Sequence, residues 1–386
     1  MNPQDYLKND QNAIIQIKQL IESGRKENVA LALGLIKGGG MVPALVTHLC
    51  AILLIYHDDA VIKNAAVKLY KLPLAFRYYG GLVYNDDTIN RMLAIAEDYP
   101  DIDASLLVKL IFEQTGKMAA YCLENRLVPA QQVIAQQVKG DLLNLSQMKL
   151  SFLPSEIGLF PQIKHLNIEG NLFDSLPDEL QNLKQLEHIY FDDTPLNVES
   201  IKQLEGFFPK AMAEYYAEKG TMIMYANTNV WNDYKEALHY LTKATLLDTS
   251  DAYYLIEQAT ILRKMRKHQQ AIDILDKALA LYKTNASSGK YKEQGIYNDQ
   301  GISYIRLGKY AKAHQVYNKA LHIDPKYGNA WYNQACAYAQ QQNKEKMLYC
   351  LARAIYLRNF FKVEAKKDAD FADFYKDFDF MQLVSK

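Results

Sequence analysis

Cysteine is scarce in this 386-residue chain. The four that occur, Cys50, Cys122, Cys336 and Cys350, show no CxxC spacing and sit inside apolar stretches. They read as small core residues of a reduced, cytoplasmic protein, not as a disulfide or zinc framework. Net charge is lacking too: 44 basic residues balance 44 acidic ones, so the basic excess of a nucleic-acid binder is absent and no nucleic-acid partner is expected. The longest apolar run, Met41 to Tyr56, spans 16 residues and contains His48. That is short of the roughly 20 residues of a membrane span, and the run reads as a buried helix. The opening MNPQDYLKND has neither the basic nor the apolar region of a secretory signal, so export by that route is not expected.

Catalytic signatures are missing as well. The eight histidines never form HExxH or HxH, no GxSxG elbow occurs, and Gly38-Gly39-Gly40 stands outside any phosphate-loop pattern. No catalytic residue, metal site or cofactor is therefore expected. Lys37-Gly38-Gly39-Gly40 reads as a helix stop, and His57-Asp58-Asp59 as a helix start with an aspartate N-cap. His165 and His188, 23 residues apart, are expected to stack on one surface. The sequon at Asn285-Ala286-Ser287 reads as chance.

What is present is apolar periodicity, with 49% hydrophobic and 23% charged residues, enough for sizeable cores. Within residues 141–211, residues 143–196 repeat every 23 residues: Leu143, Leu166 and Ile189; Leu145, Ile168 and Phe191; Leu150, Phe173 and Leu196. Leu153-Pro154 and Leu176-Pro177 recur at the same interval. Alternating apolar residues turn one strand face into a core, and Asn171 is suited to satisfying turn backbone groups. The segment resembles the leucine-rich repeat family, with strand, turn and short helix in each unit. Met148 and Thr194 stand where that family has the asparagine. About two and a half units are present, too few to stand without neighbours covering both ends.

From residue 212 the period is 34, marked by Ala237 and Ala271 and again by Ala313 and Met347. Between Ala271 and Ala313 the interval is 42, so eight residues are inserted near Ala286–Glu293, where Ser287-Ser288-Gly289 signals a loop. Tyr297, Gly301, Tyr304, Ala313, Tyr317, Ala320 and Pro325, then Trp331, Ala335, Tyr338, Leu351 and Ala354, closely resemble the tetratricopeptide repeat, in which small residues mark helix crossings. In the first unit Tyr225 and Thr228 are assigned to the small and aromatic positions. Phe371, Phe374, Phe378 and Phe380 are expected to cover the open end of the array.

In the tetratricopeptide family one stripe of each first helix lines a concave groove. Carried over, it comprises Tyr253, Ile256, Thr260, Arg263 and Lys264; Asn298, Ile302 and Arg306; and Asn329, Tyr332, Cys336 and Gln340. Arg263, Lys264 and Arg306 imply an acidic peptide or protein partner. The family's clamp for a terminal carboxylate is not matched, because Asn298 and Ile302 stand where Lys and Asn are wanted. A second surface, the strand face of the leucine-rich segment, offers Asn144, Asn167, Glu169, Tyr190, Asp192 and Asp193. Residues 141–211 carry 5 basic and 11 acidic residues and residues 212–386 carry 25 and 19, so the two segments differ in charge sign.

Residues 1–140 show only helical periodicity. Ala32 and Ala65, 33 apart in NVALALGLIKG and AVIKNAAVKLYKL, give this segment a resemblance to HEAT-like helical repeats. The expected molecule is mostly α with a short α/β solenoid: an α-helical cap over 1–140, a leucine-rich arc over 141–211 and a tetratricopeptide superhelix over 212–386. The expected function is a non-catalytic scaffold or adaptor for protein partners. The competing expectation is an enzyme or regulatory module with a site in the N-terminal helices, to be recognised by a pocket with convergent buried titratable groups.

Overall fold

The computed structural model describes residues 10–56, 58–69, 101–116, 118–226, 231–284 and 292–385, together with Leu7, Ala94 and Tyr99. The sequon, Thr228, His57 and the loop signal at 287–289 lie outside the described residues. The chain divides into two compact units, 1–203 and 204–386. The described residues are mainly helical, with one small sheet.

The first unit opens with α1 (Gln11–Glu22), α2 (Lys26–Gly39), α3 (Val46–Ile55) and α4 (Ala60–Leu69). Asp10 caps α1 by accepting from the Ala13 amide, and Asp59 caps α4 by accepting from the Val61 and Ile62 amides. The aspartate N-cap read from the sequence is therefore present. Every residue from Val46 to Leu54 is buried, as its apolar run requires. Helix α2 continues through Gly38 and Gly39 and stops at Gly40, whose φ of 89° suits only glycine. Ala32 and Ala66 are sealed, whereas Ala65 is half-buried, so the 33-residue alignment of these helices misses the packing position by one residue. α5 (Ala104–Thr115), α6 (Ala119–Glu124) and α7 (Ala130–Gln137) follow. Among the described residues no helix is long and apolar enough to cross a membrane.

The sheet, ordered β1-β2-β3-β4, comprises Val138–Lys139, Leu142–Asn144, His165–Asn167 and His188–Tyr190. Gly140, at φ 67°, turns β1 antiparallel onto β2. The remaining strands are parallel, with Leu143 paired to Leu166 and Leu166 to Ile189. The 23-residue period is thus a register, and it stacks these three side chains in a buried column. Short 3-10 turns at Ser155–Leu159 and Asp178–Asn182 return the chain between strands. Asn171 is 1% exposed; its side chain accepts from the Leu150 amide and donates to the carbonyls of Leu145 and Ile168. Thr194 serves the adjacent turn in place of asparagine, accepting from the Asn171 amide at 3.1 Å and donating to the Ile168 carbonyl at 2.7 Å.

The boundary between units falls within α8 (Val198–Phe207). The second unit then pairs α9 (Pro209–Tyr225) with α10 (Trp231–Leu247), α11 (Ala252–Lys264) with α12 (His268–Thr284), α13 (Glu293–Arg306) with α14 (Tyr310–Ile323), and α15 (Gly328–Gln340) with α16 (Lys344–Leu357). Ala237, Ala271, Ala313 and Met347 are all fully buried. A Cβ at Gly301 would meet the Tyr317 ring at 2.4 Å, and one at Gly220 would meet Leu241 at 2.9 Å and the Ala237 carbonyl at 3.0 Å. Gly220, not Tyr225, is therefore the small crossing residue of the first pair, five positions earlier than the sequence register placed it. The chain closes with α17 (Phe360–Ala365), a 3-10 turn (Ala369–Phe374) and α18 (Phe378–Ser385). Phe371, Phe374 and Phe380 pack into the core against Tyr332, Met347 and Leu351 as expected. Phe378 is exposed because it begins α18 and turns outward.

Candidate functional site

The first helices α9, α11, α13 and α15 follow one another through the second unit, and their equivalent positions meet across neighbouring helices. Glu257, Asp299 and Asn333 share one such position, since the 42-residue interval from Glu257 to Asp299 matches that from Ala271 to Ala313. Asn333 donates to the Asn298 side chain at 2.9 Å, tying α15 to α13. Arg263 Nη1 lies 3.3 Å from Asp299 Oδ1, tying α11 to α13, and both side chains are largely buried. These links make one wall of mixed aromatic, amide and charged groups.

The structure brings most of the sequence-derived stripe into this wall but shows much of it already engaged. Ile256 is buried. Thr260 accepts from Arg263 Nη2 at 3.1 Å. Asn298 is buried under Asn333, while Asn329 is exposed and Tyr253 and Ile302 are half-buried. Lys264 is exposed, its ammonium 5.5 Å from the Tyr225 ring centre and 5.8 Å from that of Tyr234. Burial pushes the Tyr253 hydroxyl up to about 12, with Glu257 adding to the shift.

At the far end of the wall, the chain's own C-terminal turn takes up the remaining stripe residues. Tyr332 donates to Asp368 at 2.9 Å and stacks on Phe361 with ring centres 4.9 Å apart. Gln340 donates to Asp370 at 2.7 Å, and Arg306 reaches both Asp370 oxygens at 3.2 and 3.4 Å. Cys336, Asp368 and Asp370 form the one group of three potential metal ligands among the described residues. The two carboxylates are held by Tyr332, Gln340 and Arg306, and burial raises the Cys336 thiol well above its ordinary range.

Sequence reading missed Glu257 and Asp299, and also the self-pairing of Arg306 with Asp370. Glu257 is 7% exposed and its Oε2 has no hydrogen-bond partner. Burial drives its carboxyl above the ordinary range; Asp299 adds to the rise and Arg263 opposes it. The signal available in the sequence was their shared position on successive first helices.

On the strand face, His165 and His188 stack with centres 4.9 Å apart, and His188 stacks on Tyr190 at 6.5 Å. Asn144 accepts from the Ser146 amide, Asn167 pairs with Glu169 through side chain and backbone, and Asp193 adopts a left-handed φ of 58°. Asp192 is half-buried beside them.

Open cavities lie among the described residues of the N-terminal helices. One of about 560 Å³ lies beside Asp10, Gln16, Leu35 and Gly38; another of about 650 Å³ lies between α2 and α4, beside Leu33, Lys37, Val61 and Lys68. Asp10 is committed to its cap, and among the described residues no buried titratable group lines either cavity. Away from both, His48 is buried and pairs with Glu22 at 2.9 Å; burial holds its imidazole below the ordinary value despite that partner.

Two Tetratricopeptide repeat family models match residues 248–326 and 298–356, so this part of the chain is built of tetratricopeptide repeats. Several solved structures share similarity. YrrB, described as a TPR protein with an unusual peptide-binding site, is 22% identical with a TM-score of 0.33, the match covering 44% of this chain and 86% of that one. MamA from Desulfovibrio magneticus RS-1, from its residue 41 to the end, is 17% identical with a TM-score of 0.33, covering 45% and 94%. The Cut9–Hcn1 hetero-tetramer of the APC/C is 14% identical with a TM-score of 0.36, covering 96% and 64%. Superpositions this loose add nothing to the repeat assignment. A search of curated proteins finds no match.

Proposed function

We propose that the protein is a non-catalytic, cytoplasmic scaffold or adaptor that binds a protein or peptide partner along the first-helix wall of its tetratricopeptide repeats. The observation that carries this reading is the wall itself: Tyr253, Ile302, Lys264 and Asn329 are at least partly accessible along successive first helices, a mixture suited to an extended segment. An acidic residue of that segment meets Lys264, because Arg263 and Arg306 are already paired with Asp299 and Asp370. The three-segment organisation, with a leucine-rich arc over 141–211 and helical repeats before it, belongs to this proposal. The parallel register of β2, β3 and β4 and the Asn171 turn support the arc. Its strand face from Asn144 to Asp193 serves as a secondary surface.

The test is affinity purification of the full chain from its native host beside two variants. Tyr253→Ala with Asn329→Ala should lose the wild-type partner, and Glu169→Lys with Asp192→Lys should keep it. The opposite pattern moves recognition to the strand face.

A further inference from the structure

Glu257 is a buried acid whose electrostatic relief comes from the nearby Arg263. It makes neither a hydrogen bond nor an ion pair among the described residues, and its Oε2 is sealed from solvent. An ionised carboxylate buried without a partner is costly, so such a group persists in a fold only against some return. Arg263 compensates it only in part. Arg263 is spent on Asp299 and Thr260, and Lys264 lies over the rings of Tyr225 and Tyr234.

Its surroundings are those of a receptor floor. Glu257 lies within electrostatic reach of Tyr225 on α9, Tyr253 and Arg263 on α11, and Asp299 on α13, so three successive first helices converge on it. Arg263, which lies 3.3 Å from Asp299, acts electrostatically on Glu257. The unsatisfied acceptor on Glu257 calls for a ligand that brings a donor. Tyr225 is 63% exposed and offers an aromatic face to an aliphatic stem arriving from solvent.

We propose that the floor at Glu257 is a subsite for a positively charged side chain, a lysine or arginine, of the partner segment. The cation compensates Glu257, whose Oε2 has no hydrogen-bond partner and whose charge the nearby Asp299 disfavours. This deepens the scaffold reading and rests on it, and it gives the partner a charge pattern: a base at Glu257 and an acid near Lys264.

The test is a displayed library of random hexapeptides selected on the full chain, followed by affinities for the best peptide and for its lysine-to-norleucine counterpart. A charge-assisted contact in a buried site predicts a preference of about tenfold or more for the base. Glu257→Gln should abolish that preference while the other selected positions persist. Glu257→Gln and Glu257→Met should melt at or above the wild-type temperature, because a group kept for binding and not for folding is removed. A wild-type chain that selects peptides with no preference for lysine or arginine overturns the subsite and leaves the wall as the recognition surface. So does a Glu257→Gln chain that keeps the preference. A chain that selects no peptide at all overturns both the subsite and the proposed function.

Discussion

Gly301 shows how much a single absent carbon decides. Its Cβ would sit inside the ring of Tyr317, which is fully buried and has no room to retreat. Gly301→Leu is expected to cost about 3 kcal/mol or more, whereas Lys309→Leu on an exposed position before α14 stays within about 0.5 kcal/mol; thermal denaturation of the two variants checks this, and equal midpoints would show the helix pairing to be wrong. The glycine was legible from spacing alone, because small residues at a fixed interval mark helix crossings. Glu257 was not, because a glutamate on a first helix reads as solvated until the helices packed around it are placed, and the register of the preceding helix was misjudged by five residues. His48 provides a second residue-scale test. Burial keeps its folded imidazole below the ordinary value of 6.5, so as pH falls below that value the unfolded chain takes up a proton that the folded chain refuses, and stability drops. The denaturation midpoint of the first unit should fall between pH 7 and pH 5, and His48→Asn should flatten that dependence.

Elements in this chain depend on what covers their ends. The three parallel strands are three residues each, and cutting the chain at residue 141 strips β1 and the preceding helices from the Leu143 end of the Leu143–Leu166–Ile189 column. A fragment of residues 141–211 is therefore expected to give no cooperative thermal transition and little amide protection; a sharp transition would refute the dependence. The period of 23 made the parallel register legible. The antiparallel strand β1 was not legible, since two residues and a glycine turn leave no periodic trace. At the other end, burial of Phe371, Phe374 and Phe380 followed from aromatic spacing, but Phe378 stands at the start of a new helix and faces outward. Aromatic counting cannot see where one helix ends and the next begins.

For the molecule as a whole, counting charges gave the sign of each segment but not the pairs within it. Of the three cations expected to greet an acidic partner, Arg263 and Arg306 face the chain's own Asp299 and Asp370. Reversing all three charges would thus damage the fold as well as the surface. Arg263→Glu strands a buried aspartate and should cost on the order of 3–5 kcal/mol, visible as a lowered melting temperature. Lys264→Glu should leave melting unchanged and weaken partner binding most at low salt, where screening is least. The central claim, that the first helices of the tetratricopeptide repeats are where this protein meets its partner, is tested most directly by hydrogen–deuterium exchange of the full chain with and without the protein that co-purifies with it. The account predicts added protection in α11, α13 and α15, with β2, β3 and β4 unchanged. Protection confined to the strands or to the N-terminal helices would contradict it.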